Sequence, residues 1–219
     1  MNIFLTILRY IPHAATVATA VYFFILNSAR PTTDPSLYEG YDVYPFMVEG
    51  LLVSLATLIA PVVLMLCLPE RKQVLRSWFA KTNCTFGKGT LIFLAMTFCG
   101  FALLTVVTPT EEQNTVAMFL HLKPHEMLII GAGISIAVPV VEELLFRGVL
   151  MYRVQPTFAL YFSSFIFAIA HGPSIYLWGL FLSGLCMGKI RQMTGSLWTS
   201  IACHGAFNAL SLLIAVYDL

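Results

Sequence analysis

Two adjacent carboxylates stand inside an apolar stretch, Val141-Glu142-Glu143-Leu144-Leu145-Phe146-Arg147. Ionisable groups are costly in such surroundings and mark either a function or a partner. On a helix, Glu143 and Arg147 are at i and i+4 and share a face, where carboxylate and guanidinium pair. Glu142 is turned about 100° away and keeps no such partner. One carboxylate is thereby available for proton transfer while its neighbour is held by a cation. A purely structural ion pair accounts for Glu143 and Arg147 but leaves Glu142 unexplained.

Two histidines follow. His171 closes Phe167-Ala168-Ile169-Ala170-His171, with Gly172-Pro173 behind it. Imidazole exchanges protons near neutral pH, which suits general acid–base work, although a lone histidine at a helix end is more often structural. His204 and Asn208, in His204-Gly205-Ala206-Phe207-Asn208, are again at i and i+4, and Ser211 continues their face. Such a polar stripe faces the interior of a helix bundle, for chemistry or for interhelical hydrogen bonds.

The elements that carry these groups are set by composition. The 219 residues are 58% hydrophobic and only 11% charged, against about 25% charged in a soluble domain. Most of the surface must therefore face lipid, and the fold class is an all-α polytopic transmembrane bundle. Seven spans are expected, near 11–27, 46–68, 90–108, 126–154, 157–171, 174–190 and 196–217, each a helix because lipid offers the backbone no hydrogen bonds. The linkers alternate in charge. Arg71, Lys72, Arg76, Lys81 and Lys88 lie between the second and third spans, Arg147 and Arg153 end the fourth, and Lys189 and Arg191 end the sixth. Asp34, Glu39, Asp42, Glu111 and Glu112 fall in the other linkers, and Glu49 at the start of the second span. The positive-inside rule then puts the basic loops and the N-terminus in the cytoplasm and the C-terminus outside. The first apolar run lacks a small-x-small cleavage site and reads as a retained span. Trp78-Phe79 in the basic loop suits an interfacial helix or a solvated loop equally. Cys67, Cys84, Cys99, Cys186 and Cys203 show no CxxC spacing and read as small buried hydrophobes. The charge pattern offers nothing to a nucleic acid; the partners expected are the bilayer and a substrate within it.

Depth relates the polar groups to one another. With cytoplasmic turns near Gln155-Pro156 and Thr194-Gly195, Glu142 and His171 lie about 20 and 22 Å from the first turn, and His204 and Asn208 about 14 and 20 Å from the second. Straight helices would bring four polar groups from three spans to a similar depth.

The ordered set Glu142-Glu143-x-x-x-Arg147, Phe167-x-x-x-His171 and His204-x-x-x-Asn208 resembles the EExxxR, FxxxH and HxxxN motifs of the CPBP family, the type II CAAX prenyl endopeptidases and their bacterial Abi-like relatives. Phe181-x-x-Gly184-x-x-x-Gly188 resembles the small-residue segment between the second and third motifs. The resemblance spans about 126–217; residues 1–125 hold N-terminal helices and loops with no matched motif, and 126–219 the catalytic-type helical core. It implies a glutamic-type intramembrane peptidase without a cofactor, multi-pass in a bacterial cytoplasmic membrane. By that resemblance Glu142 and His171 activate a water, His204 and Asn208 stabilise the oxyanion, and Glu143 and Arg147 orient the site. Its substrate is a membrane-associated protein or peptide, in CAAX-type processing, peptide maturation, sorting-signal cleavage or bacteriocin self-immunity.

Three other readings compete. Glu142, His171 and His204 make a possible His₂Glu zinc set, but HExxH is absent, since His125-Glu126 is followed by Met127-Leu128-Ile129. Pro124 interrupts the spacing of His121 and His125. A proton-coupled transporter accounts for the same ionisable groups, without the internal repeat common in such proteins. A non-enzymatic membrane partner on a protease-like scaffold is the third.

Overall fold

Apolar runs long enough to cross a bilayer satisfy their backbone as helices, and the described runs do so in the computed structural model of the chain. Residues 3–28, 42–81, 118–172 and 177–217 are described. The expected span at 90–108 lies outside them, as do Cys84, Cys99, Glu111 and Glu112. The long helices are α1 (Ile3–Ser28), α2 (Tyr44–Leu66), α4 (Pro124–Val149), α5 (Pro156–Ala170), α6 (Leu177–Thr194) and α7 (Leu197–Tyr217), with a short α3 (Arg71–Trp78). By length and apolarity α2, α4 and 197–214 of α7 are each able to span a membrane. The chain is thus an all-α membrane bundle.

α4 differs from the expected straight helix in two ways. It stops at Val149, and Met151–Val154 form a turn closed by Arg153 in the left-handed region, at φ 56°. It also widens twice into π-helical turns, at Gly133–Ala137 and Leu144–Val149. The first has a sequence cause. Pro139 has no N–H to give the Ser135 carbonyl four residues earlier, and its ring crowds that carbonyl. Each π turn has a carbonyl served from a neighbouring helix. Asn208 Nδ2 donates to Ile134 O at 3.0 Å, and Ser163 Oγ donates to Phe146 O at 2.8 Å. Side chains from adjacent helices commonly repair such irregularities inside membranes.

One apolar core runs through the bundle, joining Ala20 and Phe23 of α1, Leu58 and Val62 of α2, Val141 and Leu145 of α4, Ile166 and Phe167 of α5, and Leu197 of α7. The helices without a motif are thereby packed on those that carry one. α3 settles the reading of Trp78: the segment is helical, but the indole is only 1% exposed and sits in this core rather than at an interface. Room for it exists because residue 148 is glycine; a Cβ there would stand 3.0 Å from the Trp78 ring. Phe79 then pairs by an isolated antiparallel bridge with Ser196, tying α3 to the turn between α6 and α7.

Candidate active site

Glu142 and Glu143 stand on the α-helical stretch between the two π turns. Glu143 Oε1 lies 3.0 Å from Arg147 Nη1, with both side chains fully buried. A buried pair repays its desolvation better the more of its remaining groups are satisfied, and those of Arg147 are satisfied in part, its Nε having no partner among the described residues. Arg147 Nη2 donates to Gly184 O at 3.1 Å, and its guanidinium lies 4.6 Å over the Phe167 ring. The small residues of α6 make that reach possible. Gly184 packs on α5, where a Cβ would stand 3.0 Å from Ser164 Cα, so its carbonyl comes close to Arg147.

His204 brings α7 to both carboxylates. Its Nδ1 is 3.1 Å from Glu143 Oε1 and its Nε2 is 3.6 Å from Glu142 Oε2. A carboxylate only accepts, so the Nδ1 proton is committed to Glu143 and Nε2 is the nitrogen that faces Glu142. The approach depends on Gly205, whose missing Cβ would collide with the Ser135 carbonyl.

His171 ends α5, followed by Gly172 in the left-handed conformation at φ 88°, a backbone that glycine adopts without penalty. Its Nδ1 donates to the Phe167 carbonyl at 2.8 Å, one of the carbonyls left unpaired at a helix end. Nε2 then points to Glu142 Oε1, 4.0 Å away, too far for a direct hydrogen bond. Phe167 is the hub of this arrangement, with its ring centroid 4.6 Å from that of His171 and 5.9 Å from that of His204. Sequence spacing had marked Phe167 only as a motif position; its contact with Arg147 had no signal there.

Glu142, His171, His204 and Asn208 all line a cavity of about 520 Å³. Glu143 and Arg147 do not; they lie behind its wall. The rest of the lining is mostly apolar, and helices without motifs contribute to it through Phe23, Met47, Leu51 and Leu58. No signal in residues 1–125 pointed to that contribution. Asn208 sits in the cavity with one amide hydrogen on Ile134 and the second not committed to it. Ser211 turns back to its own helix, donating to Phe207 O. For the zinc alternative, no three His, Cys, Asp or Glu side chains among the described residues are grouped so as to hold a metal ion.

Fold and cavity together define a class: an integral membrane protein with carboxylate and imidazole groups enclosed among its helices. Residues 124–210 match the family model described as Type II CAAX prenyl endopeptidase Rce1-like. This match supports the resemblance to the CPBP family of CAAX-type membrane proteases that the motifs in the same region carry. No curated protein and no solved structure matches the chain.

Proposed function

We propose that the protein is a metal-independent intramembrane endopeptidase, acting on a membrane-associated protein or peptide. The observation that carries this reading is the pairing of Glu142 Oε1 with His171 Nε2 across 4.0 Å at the cavity wall. Both atoms accept hydrogen bonds when His171 is neutral with its proton on Nδ1. A water between them donates one hydrogen to each and turns its lone pairs toward the substrate carbonyl. As oxygen attacks carbon, the water proton passes to Glu142. The C–N bond of the tetrahedral intermediate then breaks as the leaving amine takes a proton, giving a carboxylate and an amine.

The charge that develops on the carbonyl oxygen falls to His204 and Asn208. Asn208 donates its second amide hydrogen, oriented by the first on Ile134. His204 acts as a donor from Nε2 only when both its nitrogens are protonated, since Nδ1 is held by Glu143. Glu143 and Arg147 fix the imidazole from behind without entering the cavity. The apolar walls suit a hydrophobic peptide segment, and the polar groups on one side fix which bond reaches the water.

CAAX-type processing, peptide maturation, sorting-signal cleavage and bacteriocin self-immunity all fit this chemistry, in a bacterial cytoplasmic membrane. The deciding experiment compares membrane-associated peptides in cells carrying the native chain and the Glu142→Ala variant. Substrates are the species that lose a terminal fragment only with the native chain. Identical peptide profiles from cells in which both chains are inserted and folded would refute the protease reading.

A further inference from the structure

A second cavity of about 300 Å³ lies on the other side of Arg147 and shares no lining residue with the first. It opens where the turn after α4 meets the end of α6, and Trp78, Arg147, Arg153 and Arg191 line it. No acidic side chain is among its lining residues. Arg147 is matched by Glu143, and Arg153 by Glu70 at 3.4 Å. Arg191 has no ion-pair partner among the described residues; its Nη2 donates to the Ser77 carbonyl at 2.6 Å, and its buried Nε has no partner. Trp78 and Arg147 are each 1% exposed, yet the Trp78 Nε1–H and the Arg147 Nε–H also lack hydrogen-bond partners among the described residues.

Buried donors without acceptors are costly, and a largely buried guanidinium without a counter-charge more so. Three N–H donors and an excess of positive charge at one cavity amount to a site lacking its anion. Arginine forks match the tetrahedral oxygens of phosphate. The exposed Arg71, Lys72 and Arg76 of α3 surround the same end of the bundle, and a basic pocket between helices on the cytoplasmic side is where anionic headgroups bind. We infer that this cavity binds a phosphate group, either free or carried by an anionic lipid, through Arg191, Trp78 Nε1 and Arg147. The phosphate supplies the missing charge and ties α3, α4 and α6 together.

The test uses the full chain in neutral phosphatidylcholine nanodiscs and reads the melting temperature, which requires no substrate. One arm titrates inorganic phosphate; the other replaces part of the lipid with phosphatidylglycerol. A bound phosphate raises the melting temperature saturably, by about 3 °C or more at tenfold excess over Kd. Arg191→Gln removes the counter-charge and moves the phosphate midpoint about tenfold or more. Trp78→Phe keeps the ring, removes only the N–H, and weakens the response in the same direction. Lys123→Gln, an exposed cation at the opposite end of α4, keeps the native response. Stabilisation by phosphate that the two cavity variants lose assigns a free anion, and stabilisation by phosphatidylglycerol alone assigns a lipid headgroup. No stabilisation in either arm, or the same stabilisation in both cavity variants as in the native chain, overturns the site.

Discussion

His204 reaches Glu143 through Nδ1 at 3.1 Å, while the opposite nitrogen of the same ring faces Glu142 at 3.6 Å. One imidazole therefore joins a carboxylate hidden behind the cavity to a carboxylate inside it. The two nitrogens have different work, and substitutions that copy one or the other separate them. Asparagine places its amide near Nδ1, and glutamine near Nε2. His204→Asn is expected to keep a melting temperature near that of the native chain but lose cleavage. His204→Gln should lose both, since Glu143 is deprived of a donor. Equal melting temperatures for the two variants would show that the Glu143 contact contributes nothing to the fold.

The two adjacent carboxylates should fail differently. Glu142→Gln preserves shape and leaves the Glu143–Arg147 pair intact, so the protein stays folded while cleavage falls by several orders of magnitude. Glu143→Gln leaves Arg147 buried without its counter-charge, and breaking such a pair costs about 3–5 kcal/mol. Denaturation in detergent alongside a peptide-cleavage assay measures both quantities. An active Glu142→Gln variant would remove Glu142 from the role of base.

Close helix approach makes Gly205→Ala a severe change. The added methyl meets the Ser135 carbonyl, a backbone atom that cannot swing aside, so α7 must move and carry His204 with it. A loss of about 1–3 kcal/mol is expected, with cleavage reduced more than tenfold. Gly195→Ala is the control. Nothing lies within 4 Å of its added Cβ, but φ is +69°, so its cost is about 1 kcal/mol of backbone strain with unchanged cleavage. If Gly205→Ala proves as mild as Gly195→Ala, the contact with Ser135 does not govern the position of α7.

Metal independence is expected from a water activated by Glu142 and His171. Cleavage should survive dialysis against strong chelators, and elemental analysis of the purified protein should find no stoichiometric zinc. About one zinc per chain, lost in His171→Ala together with activity, would establish the His₂Glu alternative instead.

The charge of the loops predicts the orientation. A single-cysteine probe at Lys81 should be labelled from the cytoplasm and one at Leu219 from outside. Labelling of both from the same side replaces seven spans with an even number.

Much of this arrangement was legible in the residues themselves. An apolar chain with few charges has to be a membrane helix bundle, because lipid leaves the backbone no other partner. Helical spacing alone pairs Glu143 with Arg147, and the pair forms although Arg147 lies in a π-helical turn, because four residues along still return the chain to nearly the same face. Local spacing does not say which way a ring turns or what lies across from it. That Nδ1 of His171 is taken by the Phe167 carbonyl, leaving Nε2 to Glu142, follows from where α5 ends against α4. That Asn208 repairs the backbone at Ile134, in a turn widened beside Pro139, depends on how closely Gly205 lets α7 approach. Trp78 suited an interface or a loop equally and is buried, because Gly148, seventy positions along the chain, leaves space for an indole. Part of the apolar wall of the cavity comes from α1 and α2, which carry no motif. Apolar side chains are interchangeable in sequence until packing assigns each a neighbour, so that wall could be known only from the folded chain.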